Sequence, residues 1–390
     1  MEDGRAKQIP LWLDCDTGTA RQGTTYGQPQ PQPSPSNAKP SPQDAFAILL
    51  AAYDPCLHLL GISTVHGNAS LAQTTNNTLS VLAAIGRPDV PVHPGAAKPF
   101  CRNAVHAADI HGASGLDGTT LLPKPAAEPV TKPNAVLAMR HALMEQPEGT
   151  AWLVATGTLT NVALLFATFP ELVEHLKGLS VMGGAIGGGF TDAPMGHVKG
   201  EGERFGNWTR WAEFNIYCDP EAAESIFSNR KLAAKTTLIP LDLTHQVLAT
   251  REVQQTLLTG RPLTTPSASA MNLRQMFHDL LLFFAHTYSE VYGITEGPPL
   301  HDPIAVAVLL EPLMGPIMRF ADNGGERWHV RIVTDGLHSR HDEERGQVGR
   351  TVVTKSDHGG VRIPRSMQVE SFWRQIGRCL EEAERAILDS

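Results

Sequence analysis

Short apolar runs of strand type alternate along the chain with segments in which apolar residues recur at helical spacing. Strands are predicted for IPLWLD (9–14), LHLLGISTVHG (57–67), TAWLVATG (150–157), LKGLSVMGGA (176–185) and TTLIPLDLT (236–244). Helices are predicted for DAFAILLAAY (44–53), SLAQTTNNTLSVLAAIG (70–86), LTNVALLFATFP (159–170), DPEAAESIFSN (219–229) and HDPIAVAVLLEP (301–312). This alternation predicts an α/β fold: a single domain with a mostly parallel central sheet flanked by helices.

Polar residues collect where the predicted strands end and the helices begin. They are Asp14, Asp16, Asn68, Thr156, Asp242, His301 and Asp302. Ligands of open α/β sheets bind outside the carboxyl ends of the strands. Separate segments are therefore expected to deliver these side chains to one crevice.

Composition narrows the class of protein. The formal net charge of −8 argues against a general nucleic-acid binder, which needs a basic surface. The N-terminal residues MEDGRAKQIP lack the apolar core of a secretory signal, and no apolar run is long enough to span a membrane. The five widely spaced cysteines fit reduced thiols, so a cytoplasmic protein is expected.

Asp14 and Asp16 stand at the end of a predicted strand, and Asp44 and Asp302 stand at the starts of predicted helices. Clustered carboxylates repel one another unless a positive charge lies among them, and Ca²⁺ prefers several oxygen ligands. The residues therefore suggest a metal site. A plainer interpretation makes Asp44 and Asp302 helix N-caps, and the two roles are compatible.

Two further groups are candidates for ligand binding. Glu213 and Asn215 flank Phe214, and on an extended segment they would face the same way, which suits a polyhydroxylated ligand. A surface turn before a helix explains them equally well. Among the histidines His111, His245 and His301, the last is the strongest candidate for proton transfer because it precedes Asp302.

Taken in order, nine segments resemble the calcium-dependent, inosine–uridine-preferring nucleoside hydrolases. They are DCDTG, DAFAILLAA, GISTVHGN, HGASG, ATGTLTN, VMGG, AEFNIYCDPEAA, LDLTHQ and HDPIAVA. The resemblance implies a domain over residues 8–385 that cleaves the N-glycosidic bond of ribonucleosides to ribose and free base, in purine and pyrimidine salvage. It also implies a homodimer or homotetramer that acts on ribonucleosides. The charge and hydropathy given above add the expectation that the protein binds neither nucleic acid nor membranes.

The same resemblance implies residue roles. Ca²⁺ would be held by Asp16, Asp44, Asp302 and the backbone carbonyl of Thr156. The substrate-binding residues would be Asn68, His111, Met182, Asn207, Glu213, Phe214, Asn215 and His245. His301 would lie beside the leaving base, and Asp14 would be a supporting carboxylate near the metal. Residues 183–207, rich in glycine, are expected to be mobile and to influence the choice of base.

One motif departs from the family pattern. The family begins with D-x-D-x-G-x-D-D, and the resemblance assigns the general base to the first aspartate of the final pair. Here a Pro/Gln/Ser-rich tract, residues 19–43, separates DCDTG from Asp44. The general-base position falls on Gln43 when the motif is aligned from the right and on Ala20 when it is aligned from the left. The tract contains no acidic residue, and its composition predicts a disordered insertion.

The tract leaves two questions open. It is either a real insertion or translated intron sequence, although excising residues 19–43 leaves the motif two residues short. The chain is either a hydrolase with weakened turnover or a catalytically inactive protein that binds calcium and ribonucleosides. Sequencing the transcript across codons 15 to 48 decides the first question, because an intact message excludes the intron.

Overall fold

Six parallel strands form the central sheet of this computed structural model, which describes residues 8–18, 42–105, 119, 121–197, 202–260, 268–338 and 346–389. The strand order is β3-β2-β1-β4-β5-β6. The bounds are β1 Ile9–Cys15, β2 Leu57–Thr64, β3 Val92–Pro94, β4 Trp152–Ala155, β5 Gly178–Met182 and β6 Thr236–Ile239. The predicted α/β class with a parallel sheet is confirmed.

Helices cover both faces of this sheet. Those before β6 are α1 Pro42–Tyr53, α2 Leu71–Ala84, α3 Ala135–Met144, α4 Thr160–Thr168, α5 Leu172–His175, α6 Phe214–Cys218, α7 Pro220–Phe227 and α8 Arg230–Ala234. Those after β6 are α9 Leu241–Thr244, α10 Arg251–Thr259, α11 Ala268–Tyr292, α12 Asp302–Ala307, α13 Glu311–Met314 and α14 Val369–Leu388.

Alternation along β1 explains the two layers. Leu11 and Leu13 belong to a core cluster with α1, α11, α12 and α14, whereas Trp12 belongs to a second cluster with α3, α4 and α7. Successive side chains of a strand point to opposite faces, so one short apolar run supplies both cores. Helix α1 is buried along almost its whole length, which accounts for its nearly continuous apolar sequence.

The sequence pattern was incomplete or wrong in several places. The predicted strand 236–244 ends at Ile239, and residues 241–244 form α9. Helices α11 and α14 were not predicted, nor were two small antiparallel pairs, β7 Phe320–Ala321 with β10 Ser366–Met367 and β8 Arg327–Ile332 with β9 Thr351–Ser356. Their packing depends on distant partners, which periodicity does not reveal.

The end of the predicted insertion also needs correction. Helix α1 begins at Pro42, so Gln43 is helical and buried rather than part of a disordered tract. Proline is tolerated at the start of a helix, where its missing N–H removes no helical hydrogen bond. Residues 19–41 lie outside the described part of the chain, and the domain bounds 8–385 stay a prediction.

A buried ion pair joins α11 to α14. The guanidinium of Arg274 donates two hydrogen bonds of 2.7 Å to the carboxylate of Glu384, and the two side chains are only 7% and 3% exposed. Arg374 and Glu370, one turn apart on α14, form a pair that is 59% and 85% exposed. The two pairs therefore differ chiefly in their burial.

Glu384→Gln should lower the free energy of unfolding by roughly 3–5 kcal/mol, since it leaves a buried guanidinium charge without its counter-ion. Glu370→Gln is the matched control and should change it by less than about 0.5 kcal/mol, because solvent screens the exposed pair. Urea unfolding measures both. Equal losses in the two variants would contradict the assignment.

Candidate functional site

Three aspartates from separate elements meet at the carboxyl end of the sheet. Asp16 follows β1, Asp44 is the third residue of α1, and Asp302 is the first residue of α12. All three are at least 95% buried. Burial and the negative charges of Asp44 and Asp16 raise the pKa of Asp302 well above its ordinary value, so these side chains lie within electrostatic reach of one another.

The interpretation of Asp44 and Asp302 as helix N-caps was wrong. The residue before α12 is His301, so Asp302 stands inside the helix rather than at its N-cap. Asp44 likewise lies inside α1 and accepts a hydrogen bond of 3.0 Å from the hydroxyl of Thr156. Burial raises the pKa of Asp44 to about 7, although the Thr156 hydrogen bond acts in the opposite direction. Neither carboxylate is used to cap a helix.

Asn68 holds the carboxylate of Asp16 on both oxygens. Its backbone N–H donates over 2.8 Å and its side-chain amide over 3.0 Å. Residue 67, which precedes Asn68, must be glycine because a Cβ there would lie 1.9 Å from Oδ2 of Asp16. Burial raises the pKa of Asp16, with the charge of Asp44 as the next largest cause.

Asp14, the last residue but one of β1, is as fully buried as Asp16 and Asp44. Its Oδ1 accepts hydrogen bonds from the Ser63 hydroxyl and, at 2.8 Å, from the Asn161 amide. Trp12 donates to the same Ser63 hydroxyl over 3.0 Å. Burial raises the pKa of Asp14 to about 7, while Ser63 and Asn161 lower it. These hydrogen bonds fix one oxygen of the Asp14 carboxylate, and its supporting role stays a prediction.

The donor set suits a hard cation. Oδ2 of Asp44 and Oδ2 of Asp14 are buried without a hydrogen-bond partner, and oxygen atoms of this kind are the ligands that Ca²⁺ takes. Within the described ranges, no group of three His, Cys, Asp or Glu side chains is already arranged to hold a metal ion. The carboxylates fit Ca²⁺ in chemistry and charge, but their ligand positions are not assembled.

Glu213, Asn215 and Met182 lie on one side of this cluster. The amide of Asn215 donates to the Thr156 carbonyl over 3.0 Å and approaches Sδ of Met182 at 3.4 Å. Glu213 accepts hydrogen bonds from the backbone N–H groups of Gly184 at 2.9 Å and of Asn215 at 2.8 Å. Burial raises the pKa of Glu213.

Two expectations about this segment were wrong. Glu213 is the N-cap of α6, so Asn215 follows it inside a helix and not on an extended strand. Both residues are buried, which excludes a surface turn. Asn207 accepts a hydrogen bond of 2.9 Å from the backbone N–H of Phe214, and the ring of Phe214 packs against Trp208 with centroids 4.6 Å apart.

His301 lies between two hydroxyl groups. Its Nδ1 is 2.6 Å from Oγ1 of Thr244, and its Nε2 is 2.7 Å from the hydroxyl of Tyr288. Its backbone N–H donates over 2.7 Å to Oε1 of Gln43. The ring of His245 is 5.4 Å away, and burial lowers the pKa of His301 well below its ordinary value.

Sequence reasoning found most of the residues at this end of the sheet, with some exceptions. His111 lies outside the described residues, so its place stays a prediction. Tyr288, on the unpredicted helix α11, was missed although it contacts His301. Asn161 was also missed, and its position two residues after Leu159 at the start of a predicted helix gave only a weak signal.

These features describe an α/β protein with buried carboxylates, amides and histidines gathered beyond the carboxyl ends of parallel strands. The sequence model of one protein family, the inosine-uridine preferring nucleoside hydrolases, matches residues 38–374 of the chain. The chain belongs to this family, as its sequence resemblance implied, and is a nucleoside hydrolase by that membership.

Curated relatives cover most of the chain. A uridine nucleosidase of Saccharomyces cerevisiae is 33% identical over 97% of this chain and 97% of its own length. A pyrimidine-specific ribonucleoside hydrolase of Citrobacter koseri is 36% identical over 77% of this chain and 84% of its own. The structure of a purine-preferring ribonucleoside hydrolase from Gardnerella vaginalis superposes with a TM-score of 0.69 at 23% identity, over 96% and 99% of the two chains. This likeness shows the fold.

None of the helices in the described ranges combines the length and apolar character needed to cross a membrane.

His245 gives the site a testable pH dependence. Burial lowers its pKa from 6.5 to about 4, against the opposing effect of a hydrogen bond to the Pro194 carbonyl. Between these values the unfolded chain therefore takes up a proton that the folded chain does not bind. Stability present above pH 6.5 is lost as the pH falls toward 4.

His245→Asn retains an N–H near the position of Nδ1 but removes the titrating ring. The advantage of the wild type over this variant in free energy of unfolding should shrink as the pH falls from about 7 to about 4, by at most about 1.4 kcal/mol per pH unit. Denaturant unfolding at a series of pH values measures the difference. His141→Asn on α3 is the control. A wild-type advantage independent of pH would refute the assignment.

Proposed function

We propose that this chain is a calcium-dependent ribonucleoside hydrolase that uses the pocket around Asp16, Asp44 and Asp302. The observation that carries the proposal is that three buried carboxylates, one just after β1 and two in the first turns of α1 and α12, lie within electrostatic reach of one another. A cluster of this kind is costly to bury without a cation. Family membership supplies the reaction class, cleavage of the N-glycosidic bond of a ribonucleoside.

The chain's own oxygen atoms would supply the metal ligands. Asp16, Asp44 and Asp302 would provide carboxylates, and Thr156 its backbone carbonyl, which is already next to the Asn215 amide. When bound, Ca²⁺ would offset the carboxylate charge and supply a Lewis acid for a water molecule and the ribose hydroxyls. Asp14, which is held by Ser63 and Asn161, is assigned to supporting this set.

The sugar would be held by amide and carboxylate groups. Asn68, Asn207, Glu213 and Asn215 are assigned to the ribose hydroxyls, with Met182 and Phe214 lining the sugar pocket. Several of these groups already make protein hydrogen bonds, which fix their orientation before a ligand arrives. Binding energy from such preorganised contacts can lower the barrier to an oxocarbenium-like transition state.

The proton of the attacking water needs a carboxylate acceptor. The resemblance placed this role at position 43, but the side-chain oxygen of Gln43 is engaged by the backbone N–H of His301. Asp16 is a better candidate in this geometry, because it stands within electrostatic reach of Asp44 and Glu213 and is oriented by Asn68. We therefore assign proton acceptance to Asp16 and a positioning role to Gln43.

His301 and Tyr288 are assigned to the departing base. As the glycosidic bond breaks, its electron pair passes to the base nitrogen, which then requires a hydrogen bond or a proton. Burial raises the pKa of Tyr288 well above its ordinary value, so its hydroxyl keeps its proton and can donate. His301 contacts that hydroxyl at 2.7 Å and is assigned to orienting it.

The base preference is assigned from the relatives. Proteins similar to this chain over most of its length are named a uridine nucleosidase and a pyrimidine-specific ribonucleoside hydrolase. We therefore assign uridine as the better substrate, with inosine the weaker. The alternative is a protein that binds calcium and ribonucleosides without turnover, and the observation favouring it is an uncharged amide at position 43.

Ribose release from uridine and inosine tests the proposal. With calcium present, the chain should release ribose from uridine, and a chelator should abolish release without unfolding the protein. Calorimetric nucleoside binding without ribose release would instead establish the inactive alternative. Neither binding nor release by a folded, calcium-loaded protein would overturn both.

Gln43→Asp separates the two candidate proton acceptors. If Asp16 accepts the proton, the variant should change kcat by less than about tenfold, whereas Asp16→Asn should lower it by about 10²–10⁴-fold. Gln43→Glu is the matched control, since it adds the charge at the length of the native side chain. If Gln43→Asp instead increased turnover by two orders of magnitude or more, the general base would belong at position 43.

A further inference from the structure

The glycine-rich segment 183–197 runs along the candidate pocket from its sugar side to its base side. At one end the backbone N–H of Gly184 donates to Oε2 of Glu213 over 2.9 Å. At the other end the N–H of His197 donates to the carbonyl of Tyr292 over 3.1 Å. The ring of Tyr292 is 5.2 Å from that of Tyr288, which contacts His301. A displacement of this segment would therefore change both sides of the pocket.

Asp242 of α9 holds the middle of the segment. Its carboxylate accepts hydrogen bonds from the backbone N–H groups of Ile186 at 2.8 Å and Gly187 at 2.9 Å. Its backbone carbonyl accepts a third, of 2.6 Å, from the hydroxyl of Thr191. Asp242 is only 1% exposed, so these bonds are made out of contact with water. Hydrogen bonds to a buried carboxylate are among the stronger ones in proteins.

His245 holds the segment near its end. Its Nδ1 is 2.7 Å from the carbonyl oxygen of Pro194. A carbonyl can only accept, so Nδ1 carries the hydrogen, and Nε2 is left as an acceptor that makes no hydrogen bond in the described part of the chain. The ring stands 5.4 Å from His301 and 5.9 Å from Tyr288.

The opposite face of the segment is also fixed. Arg365 donates a 2.5 Å hydrogen bond from Nη1 to the carbonyl of Phe190 and stacks over the ring at 4.1 Å. Gly187 has a φ of +67°, and a Cβ there would lie 2.5 Å from the ring of Phe205. The segment 183–197 is therefore held at several points, and the mobility expected for residues 183–207 stays a prediction.

The same helix orients the histidine assigned to the leaving base. Thr244, between Asp242 and His245 in the sequence LDLTH, places its hydroxyl 2.6 Å from Nδ1 of His301. Residues 241–245 thus contact the glycine-rich segment through Asp242 and His245, and contact His301 through Thr244. Any shift of α9 would move all of these contacts together.

We propose that Asp242, Thr244 and His245 are positioning residues that set the base selectivity of the pocket. Asp242 and His245 fix the glycine-rich segment against α9, and Thr244 fixes the His301 ring against the same helix. The proposal rests on the proposed function, because it assumes that His301 and this segment border the base. It adds that selectivity between bases depends on residues which contact neither the metal ligands nor the sugar.

Asp242→Asn tests whether the Asp242 carboxylate holds the glycine-rich segment. The variant keeps the shape of the side chain but replaces one acceptor oxygen with an NH₂ group. Uridine and inosine binding are measured by calorimetry with calcium present, and amide hydrogen exchange is followed over 183–197. The variant should change the ratio of the two Kd values by about tenfold, the effect of losing one strong hydrogen bond. Exchange over 183–197 should accelerate by at least a similar factor.

Two further variants distinguish a local effect of Asp242→Asn from general destabilisation of the fold. Thr191→Val removes only the hydroxyl that donates to Asp242 and should shift the Kd ratio in the same direction. Asp54→Asn is the matched control: Asp54 is also buried and accepts a backbone hydrogen bond of 2.8 Å from Cys56, but it packs against α14 through Gln375. It should leave the Kd ratio and the exchange over 183–197 unchanged.

The outcomes separate this inference from the proposed function. Loss of exchange protection together with an unchanged Kd ratio would overturn the inference and leave the hydrolase proposal intact. The same shift of the ratio in Asp54→Asn would also overturn it, since general destabilisation would then explain the effect. Wild-type protein that binds neither nucleoside would overturn the proposed function first, and the inference with it.

Thr244→Val tests the second half of the assignment. Removal of the hydroxyl frees the His301 ring, so kcat should fall by about tenfold while Kd for uridine changes less than about twofold, as for an interaction needed only in the transition state. An increase in Kd with unchanged kcat would assign Thr244 to binding instead. In a chain without turnover, Thr244→Val should still shift the nuclear magnetic resonance signals of the His301 ring, and unchanged signals would contradict the contact.

Discussion

Burial of like charges is the constraint on which the rest of this structure depends. Asp16, Asp44 and Asp302 come from three separate elements and are packed out of water within electrostatic reach of one another. Burial and mutual repulsion both favour their protonated forms, and a bound cation would offset that repulsion and favour the ionised forms. Asp16 follows β1 at the carboxyl edge of the sheet, and Asp44 and Asp302 come from the first turns of α1 and α12, which pack against each other. A dication is the counter-charge that such a set of oxygen atoms suits best.

Much of this arrangement followed from the sequence, and what did not has a physical reason. Asp14, Asp16 and His301 were found because polar residues at strand ends in an α/β pattern must gather at one edge. Tyr288 was not found, since it lies on α11, which the pattern did not predict, and meets His301 only through the tertiary fold. The true local structure around Glu213 was also missed, because one helical turn leaves little periodicity to detect.

Position 43 shows where sequence comparison and geometry differ. A missing acidic residue suggested a lost general base, whereas the side chain of Gln43 binds the backbone of His301 and so links α1 to the start of α12. An amide can serve that link as well as a carboxylate can. The chemistry is therefore assigned to the carboxylates that remain, and Gln43 is part of their support.

Calcium titration of the metal-free protein by calorimetry measures whether Asp16, Asp44 and Asp302 form a calcium site. We expect one Ca²⁺ to bind per chain and to raise the unfolding temperature. Asp44→Asn removes a ligand charge and should weaken calcium binding by at least about tenfold. A folded protein that gives no binding heat and no change in unfolding temperature at millimolar calcium would contradict it.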